Sequence, residues 1–343
     1  MDITRQIADH VVAVSNKRKE LAKKLRSDSP DLAIKIQNVD LNGMKVCGVD
    51  GGLLKKEFQG MTLVVRRAVG VCFSFENGIV SAQYTPSKNP EPDSFIITPD
   101  FSSEDASILI NLKRVELEIK VALDCVKKFA PNIIVLDGSV VLHPSSIAKQ
   151  GSACYGTYGQ VNSLLRELYK YCADNDIMLV GACEDSRGKK FCGILKSQLL
   201  SSKPEAQVLD SVNDTTFLYN FLDVGERTSH FSYSASDDLP GLSDLGDWRR
   251  KIYGMYIKPS KFDRPLRLDF LASNSKLQAD KISGIVNAIS NQCRTYAYPS
   301  VLIEADARAK LTAKDMLALN HALKEKLGMD PTVFDLRREQ RPI

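Results

Sequence analysis

The sequence predicts an α/β fold in which a mixed sheet is flanked by helices. Apolar segments with hairpin spacing come first along the chain, and strand and helix patterns then alternate. That order favours a layered sheet-and-helix domain. Two of the apolar segments, at 46–52 and 133–139, each contain an aspartate followed by glycine, at Asp50 and Asp137. A short apolar run that ends at such turn residues is typical of a buried strand.

The first part of the chain is predicted to form a basic helix, four strands and a long helix. A rough apolar stripe predicts the basic helix over residues 3–25. The strands are predicted at 44–50, 61–75, 79–84 and 95–98, and the long helix at 103–129. The Asn77-Gly78 pair favours a hairpin turn between the second and third of these strands.

Predicted strands and helices alternate through the rest of the chain. Strands are predicted at 133–137, 177–183, 252–257, 266–271 and 300–303, and helices at 159–174, 277–293 and 312–327. Thr312 is expected to cap the last helix and Gly328 to end it. The pattern weakens between about 199 and 247, which indicates variable, partly helical insertions. The whole chain, 1–343, is interpreted as one domain with a core at about 40–320 and a basic N-terminal helix within 1–27.

Composition and charge limit the class of protein. The 343 residues are 43% hydrophobic and 26% charged, as in ordinary soluble globular proteins. The formal net charge of +4 is too small to indicate nucleic-acid binding by itself. Lysine and arginine are clustered, however, at 17–26, 66–67, 187–190 and 249–251. Such clusters either contact phosphates or lie on solvated surfaces.

Cysteine usage and the length of the apolar runs indicate a reduced, cytoplasmic protein. The eight cysteines include no Cys-x-x-Cys pair, so neither a zinc site nor a redox motif is indicated. No stretch is apolar over the length that spans a bilayer, and Met1 leads straight into the predicted basic helix. We therefore expect no membrane contact.

Acidic residues at the ends of predicted strands indicate a divalent-cation site. Asp50 and Asp137 are expected to converge at one rim of the sheet, and like charges held close commonly share a cation. The predicted long helix lies between these strands along the chain and offers Glu116 or Glu118. At about 100° per residue, Glu116 lies roughly 40° from the buried stripe and Glu118 roughly 120° away. Glu116 is therefore the preferred inward carboxylate.

Other interpretations of these residues remain open. An Asp-Gly pair after a strand is often an ordinary turn, and Asp185, after the 177–183 segment, could be a loop acid. An actin-like ATPase or kinase also holds magnesium and phosphates with Asp-Gly turns, although the glycine-rich adenosine loop of such a chain is not found. The four histidines, at 10, 143, 230 and 321, are too dispersed for a zinc cluster. Oxygen ligands alone suit magnesium or manganese.

Taken in order, the motifs resemble those of the NurA nucleases. The resemblance is carried by 48–52, the acidic helix, 135–139, 225–228, and the ending Tyr298-Pro299 with 302–305. Each motif is short, but the ordered set is fairly specific and covers about 40–320. It implies a ribonuclease H-like core and manganese-dependent cleavage of DNA from 5′ ends, with internal cleavage of single strands as a further activity. It also implies a homodimer that acts with the HerA ATPase translocase in DNA end resection and repair.

The resemblance also assigns roles to individual residues. It gives metal-ligand roles to Asp50, Asp137 and one acid of the helix, Glu116 or Glu118, and it matches Tyr298 to the family's active-site tyrosine. Carboxylate chemistry suggests two ions, Mn²⁺ or Mg²⁺, that activate a water and stabilise the leaving 3′ oxygen.

The chain departs from the family pattern eight residues after the tyrosine. The family has Ala-His there, whereas this chain has Ala305-Asp306. An extended segment places Glu304 and Asp306 on the same side, which favours Asp306 as a further oxygen ligand rather than a group that transfers protons near neutral pH.

A second departure follows the 177–183 segment. The family commonly offers a lysine there, whereas this chain has Glu184-Asp185, and Lys189 or Lys190 could substitute. Together with Arg187, these lysines are expected to guide the DNA strand. A degenerate site that serves only as a partner of the translocase remains the alternative.

Overall fold

One mixed sheet organises the protein in a computed structural model that describes residues 3–201, 203–233, 241–327 and 336–337. Across these residues, eleven strands join the sheet in the order β1-β8-β10-β11-β7-β6-β2-β3-β4, with β5 paired to β3 and β9 to β10. The strands are β1 (Ala33–Lys35), β2 (Lys45–Phe58), β3 (Met61–Glu76), β4 (Ile79–Thr85), β5 (Asp93–Ile97), β6 (Ile133–Asp137), β7 (Met178–Cys183), β8 (Glu226–Thr228), β9 (Phe231–Ser232), β10 (Ile252–Lys258) and β11 (Leu266–Leu271). Strand β6 pairs in parallel with β2 and β7, and the other pairs are antiparallel.

Helices cover both faces of this sheet. The helices are α1 (Ile3–Asp28), α2 (Ser103–Phe129), α3 (Tyr155–Asp174), α4 (Lys190–Gln198), α5 (Asp214–Phe221), α6 (Ser275–Ile289), α7 (Ser300–Ala309) and α8 (Ala313–Leu327). Side chains alternate along β2, so Cys47 packs into a core with α2 and α3, while Val46 packs into a second core with α6 and α7. The predicted mixed sheet with flanking helices is confirmed.

The long helix α2 has the bounds that its sequence predicts. Ser102 caps it, because its hydroxyl oxygen accepts the amide hydrogen bond of Asp105 over 3.1 Å. Ala130 ends it in the left-handed conformation, with φ of 44°. Between these caps, Leu112, Ile119 and Val126 lie on the buried face. The helix is thereby held against β2, β3 and β6, which decides where its acids can reach.

Helix α1 joins the rest of the protein through its second half. Leu21 and Leu25 are buried against α5 and neighbouring segments, and Arg26 forms a two-pronged ion pair with Glu226 at 2.6 and 2.7 Å. Within the described ranges, no helix combines the length and apolar character that a bilayer crossing requires.

The prediction that the first Asp-Gly ends its strand is wrong. Strand β2 continues to Phe58, because Gly51 and Gly52 stay extended and pair with Ala68 and Arg67 of β3. What ends near Asp50 is the parallel pairing with β6, whose last partners are Val49 and Leu136. The second Asp-Gly does turn the chain, since Gly138 has a φ of 96° that favours glycine.

The prediction of a strand at 300–303 is also wrong. These residues begin α7, and the buried Val301, Ala305 and Ala309 recur at helical spacing. The helical spacing is present in the sequence, but the short apolar run 301–303 also fits a strand. Helix α8 begins at Ala313, as predicted to within one residue. At this end the Asp315 carboxylate accepts the Thr312 amide and hydroxyl hydrogen bonds, at 2.7 and 2.8 Å, whereas Gly328 lies outside the described residues.

Replacing Gly181 by alanine should destabilise the protein by about 1–3 kcal/mol, because the new methyl group would overlap backbone. A Cβ at this position in β7 would lie 2.7 Å from the amide nitrogen of Val140 and would also meet the carbonyl oxygen of Gly138. Chemical denaturation measures the effect. The matched control is Gly193→Ala in α4, where no atom lies within 4 Å of the new methyl group and stability should hold or rise. Equal stability of the two variants would contradict the packing described here.

Candidate active site

Two aspartates lie side by side where the parallel pairing of β2 and β6 ends. The register pairs Val49 with Leu136, so Asp50 and Asp137 are the next residues on the two strands. Alternation along each strand directs both side chains to the face covered by α7. Asp50 is only 6% exposed and accepts the Gly51 amide hydrogen bond over 2.6 Å.

Tyr298, just before α7, holds the second aspartate. Its hydroxyl group lies within hydrogen-bonding distance of an Asp137 carboxylate oxygen and 2.9 Å from the carbonyl oxygen of Ala182. Burial and the charge of Asp137 raise the pKa of Tyr298 well above its ordinary value, so the phenol keeps its proton and remains a donor. Tyr298 therefore lies at the rim with Asp137, and the active-site role that the resemblance gives it stays a prediction.

The third carboxylate comes from the opposite face of the sheet and belongs to Glu118. Its side chain lies over Gly51, where a Cβ would lie 2.7 Å from Glu118 Cγ. The absent side chain of Gly51 therefore makes the space through which Glu118 reaches the rim. Arg114, one turn earlier on α2, donates to Glu118 over 2.6 Å.

The structure does not bring Glu116, the preferred inward carboxylate, to this rim. Glu116 is buried, as its helical phase predicts, but it faces β3, and Arg66 of that strand lies 3.9 Å away. Lys113 and Lys120, on the same helix as Glu116, bond it at 2.9 and 2.6 Å. Burial alone would raise the pKa of Glu116, yet the bonds from Lys120 and Lys113 hold it below its ordinary value. The helical phase predicts which side of α2 meets the sheet. It does not predict which strand lies under each residue of that side.

The carboxylates of the rim repel one another. Burial, together with the charges of Asp137 and Glu118, raises the pKa of Asp50 to about 8. Burial also raises the pKa of Glu118 to about 7, because Arg114 offsets only part of that effect and Asp137 adds to it. Such a group of acids has a strong electrostatic reason to bind a cation.

A buried polar network supports the turn that carries Asp137. The Ser139 hydroxyl donates to Asp269 over 2.7 Å, and Tyr233 donates to the same carboxylate oxygen over 2.6 Å. Arg267 donates to the other oxygen over 3.0 Å, and Asp269 is fully buried. Sequence reasoning missed this network, although one acid inside the apolar strand 266–271 was a visible signal.

A cavity of about 750 Å³ opens beside these acids. Glu118 and Asp137 lie on one wall, and apolar side chains of α2, α3 and the 241–245 segment form much of the rest. The arginines on its lining are Arg114, Arg187 and Arg267. The cavity therefore combines acidic groups with cations that suit a phosphate.

The three residues predicted to guide DNA have different surroundings. Arg187 is exposed and lines the cavity. Lys189 donates to the carbonyl oxygen of Asp210 over 3.2 Å, and the half-buried Lys190 donates to that of Tyr233 over 2.8 Å. The structure thus places Arg187 on the cavity that Glu118 and Asp137 also line, while the two lysines bind backbone oxygens.

Asp306 lies on helix α7, whereas the sequence predicts an extended segment there. Residues two apart on a helix are turned by about 200°, so Glu304 and Asp306 do not share a side. Glu304 bonds Tyr84 at 2.9 Å, whereas Asp306 is exposed. Strand geometry therefore does not support a ligand role for Asp306, and that role stays a prediction.

Tyr296 links the outer rim to the acids. Its hydroxyl donates to Glu184 over 2.9 Å. Burial and Glu184 raise the pKa of Tyr296, and Asp137 and Asp306 add to the effect, so Tyr296 lies within electrostatic range of both aspartates. Glu184 therefore bonds a tyrosine at the position where the family pattern has a lysine.

The acids converge without forming a closed metal-binding group. In the part of the chain that the structure describes, no three His, Cys, Asp or Glu side chains are arranged as a ready ligand set. Arg114 and Tyr298 hold oxygens of Glu118 and Asp137 instead. A cation that binds the Glu118 oxygen held by Arg114 would have to displace that guanidinium.

Comparison with known proteins identifies relatives of this chain. The NurA domain family model matches residues 44–311. Among solved structures, the NurA nuclease from Sulfolobus solfataricus is similar with a TM-score of 0.62 and 16% sequence identity, over 95% of each chain. A crystal structure of NurA is similar with a TM-score of 0.54 and 10% identity, over 95% of this chain and 99% of that chain. These similarities show the ribonuclease H-like fold that the motifs imply.

A third structure, NurA bound to dAMP and manganese, has a TM-score of 0.49 and 10% identity, over 95% of this chain and 98% of that chain. No curated protein sequence matches this chain.

Replacing Gly51 by alanine should weaken manganese binding without loss of stability. The new methyl group would overlap the Glu118 side chain, whose flexible end can move aside, so unfolding should change by less than about 1 kcal/mol while the carboxylate leaves the rim. Calorimetric titration with manganese and chemical denaturation give the two readouts. Gly159→Ala on α3, with open space around the new methyl group, is the control. Wild-type manganese affinity in the Gly51→Ala protein would show that Glu118 does not serve the site.

Replacing Asp50 by asparagine should stabilise the metal-free protein at alkaline pH. The unfolded carboxyl ionises near its ordinary pKa, whereas the folded one keeps its proton up to about pH 8, so wild-type stability falls as pH rises between those values. Asp50→Asn lacks this loss and should unfold at higher temperature than wild type above pH 8, with the difference vanishing toward pH 4.

Thermal unfolding in EDTA across this range checks the expectation. Asp124→Asn, at an exposed position of α2, is the control and should not change the pH dependence. Parallel pH profiles for wild type and Asp50→Asn would contradict the electrostatic repulsion.

Proposed function

The chain belongs to the NurA family, and from this premise we propose that it is a DNA nuclease that hydrolyses phosphodiester bonds with divalent cations. The observation that carries the proposal is the convergence of Asp50, Glu118 and Asp137 at one rim of the sheet, beside a cavity with arginines on its lining.

The donor set fits a hard divalent cation. Carboxylate oxygens suit Mn²⁺ or Mg²⁺, and burial together with neighbouring acids raises the pKa values of Asp50 and Glu118. We assign the ligand roles to Asp50, Glu118 and Asp137, with two ions as the proposed number. Bound cations would supply Lewis acidity and a water of lowered pKa for attack on phosphorus.

The protein's own groups orient the acids and the substrate. The Tyr298 hydroxyl fixes one oxygen of Asp137, and Ser139 with Asp269 fixes the turn that follows. Arg187 is positioned to contact a phosphate, because it is exposed and lines the cavity that Glu118 and Asp137 also line. Each of these roles needs only contacts that the fold already provides.

Direction and partners are proposed from family membership. On that ground the enzyme resects DNA from 5′ ends, forms a homodimer and acts with a HerA-type ATPase translocase in DNA repair. Asp306, where the family pattern has histidine, favours a second candidate, a non-catalytic translocase partner. The complete set of three carboxylates argues for catalysis.

A cleavage assay tests the proposal. Wild type should degrade 5′-labelled single-stranded or duplex DNA with manganese or magnesium and not in EDTA, and Asp50→Asn and Asp137→Asn should be inactive while remaining folded. Absence of cleavage by the wild type with either cation, alone or with its translocase, would reject the nuclease and favour the non-catalytic partner.

The two helix glutamates give the sharpest comparison. Glu118→Gln should lower the cleavage rate by about two orders of magnitude or more, because it removes a proposed ligand. Glu116→Gln, two residues away on the same helix, should leave the rate within about threefold, because Glu116 is bonded to Lys113 and Lys120 rather than placed at the rim. Single-turnover rates at saturating manganese measure both, and the opposite ranking would overturn the assignment of Glu118.

A further inference from the structure

Arg114 holds the acid that the proposed cation needs. Its guanidinium lies 2.6 Å from a Glu118 oxygen, with the Arg114 side chain 34% exposed and that of Glu118 12% exposed. Both residues line the cavity together with Asp137. The cavity wall therefore carries a positive charge beside Glu118 and Asp137, two of the three rim carboxylates.

A guanidinium and a divalent cation compete for the same carboxylate. Each stabilises ionised Glu118, but at a shared oxygen the two positive charges repel each other over a few ångströms. The described contacts tie Arg114 to the rim through this one ion pair. By contrast, Arg267 is bonded to Asp269 within the buried network and lacks the same freedom to swing.

From these contacts, and resting on the proposed nuclease function, we infer that Arg114 is a built-in counter-ion that a divalent cation displaces from Glu118, and that the released guanidinium then binds a phosphate of the DNA. Arg114 lines the cavity and needs to move only its flexible end to face the space beside Asp137. Guanidinium groups bind phosphates through paired hydrogen bonds, so the exchange converts an internal ion pair into a substrate contact.

The chain offers a matched control for this residue. Lys113 precedes Arg114 on α2, carries the same charge and pairs with Glu116 at 2.9 Å, but it does not line the cavity. Arg114→Gln and Lys113→Gln therefore change the net charge of the protein equally and differ in which carboxylate loses its partner.

Calorimetric titration with Mg²⁺ is done at about pH 9, above the pKa values of Asp50 and Glu118. At this pH protons no longer compete with Mg²⁺ for these carboxylates, so the titration measures competition by Arg114 alone. Arg114→Gln should bind Mg²⁺ at least about fivefold more tightly than wild type, and Lys113→Gln should stay within about twofold. With Ca²⁺ bound, a fluorescent 5′-phosphorylated single strand should bind Arg114→Gln about tenfold more weakly than Lys113→Gln.

Each outcome decides one point. Wild-type Mg²⁺ affinity in Arg114→Gln would overturn the counter-ion role, and equal DNA affinity in the two variants would overturn the phosphate contact. If the wild type binds neither Mg²⁺ nor Mn²⁺, the proposed nuclease function fails instead. If Arg114→Gln does not fold, ¹⁵N NMR of the arginine side chains of the wild type replaces the titration of that variant. The Arg114 signal is assigned by its loss in Arg114→Lys. That signal should shift on Mg²⁺ addition, and an unshifted signal at saturation would overturn the inference.

Discussion

Like-charge repulsion at the end of two parallel strands is the constraint on which the rest of the site depends. Asp50 and Asp137 occupy adjacent positions because the β2–β6 register ends just before them, and Glu118 is brought to the same rim by α2. Burial and the neighbouring charges raise the pKa of Asp50 to about 8, and an arginine lies beside Glu118. Burial that opposes ionisation is characteristic of functional sites.

The packing of the fold accommodates this crowding with small residues and a buried network. Gly51 leaves room for Glu118, and Gly181 lets the 138–140 turn approach β7 closely. Asp269 then fixes the turn through Ser139. These features stabilise the position of Asp137 rather than the sheet as a whole, which is why they cluster at one end of β6.

Much of the fold follows from local pattern, and the site only in part. The helix at 103–129 and the strands at 133–137 and 266–271 have the bounds predicted from the sequence, because their periodicity and caps are strong. Asp50 and Asp137 are predictable because each follows an apolar run and precedes a glycine, although only the second pair turns the chain. Glu118 is not, because Glu116 has the better helical phase and only the lateral position of α2 over the sheet separates them. The Arg114 pair and the Asp269 network depend on residues far apart along the chain, which a single sequence does not connect.

The most direct test of the account is anomalous diffraction from manganese-soaked crystals, since its central claim is that the three carboxylates form one cation site. The account predicts manganese peaks bounded by Asp50, Glu118 and Asp137, with the Glu118 side chain released from Arg114. Saturating manganese that leaves this rim empty, or that binds elsewhere while the Arg114–Glu118 pair stays intact, would contradict it.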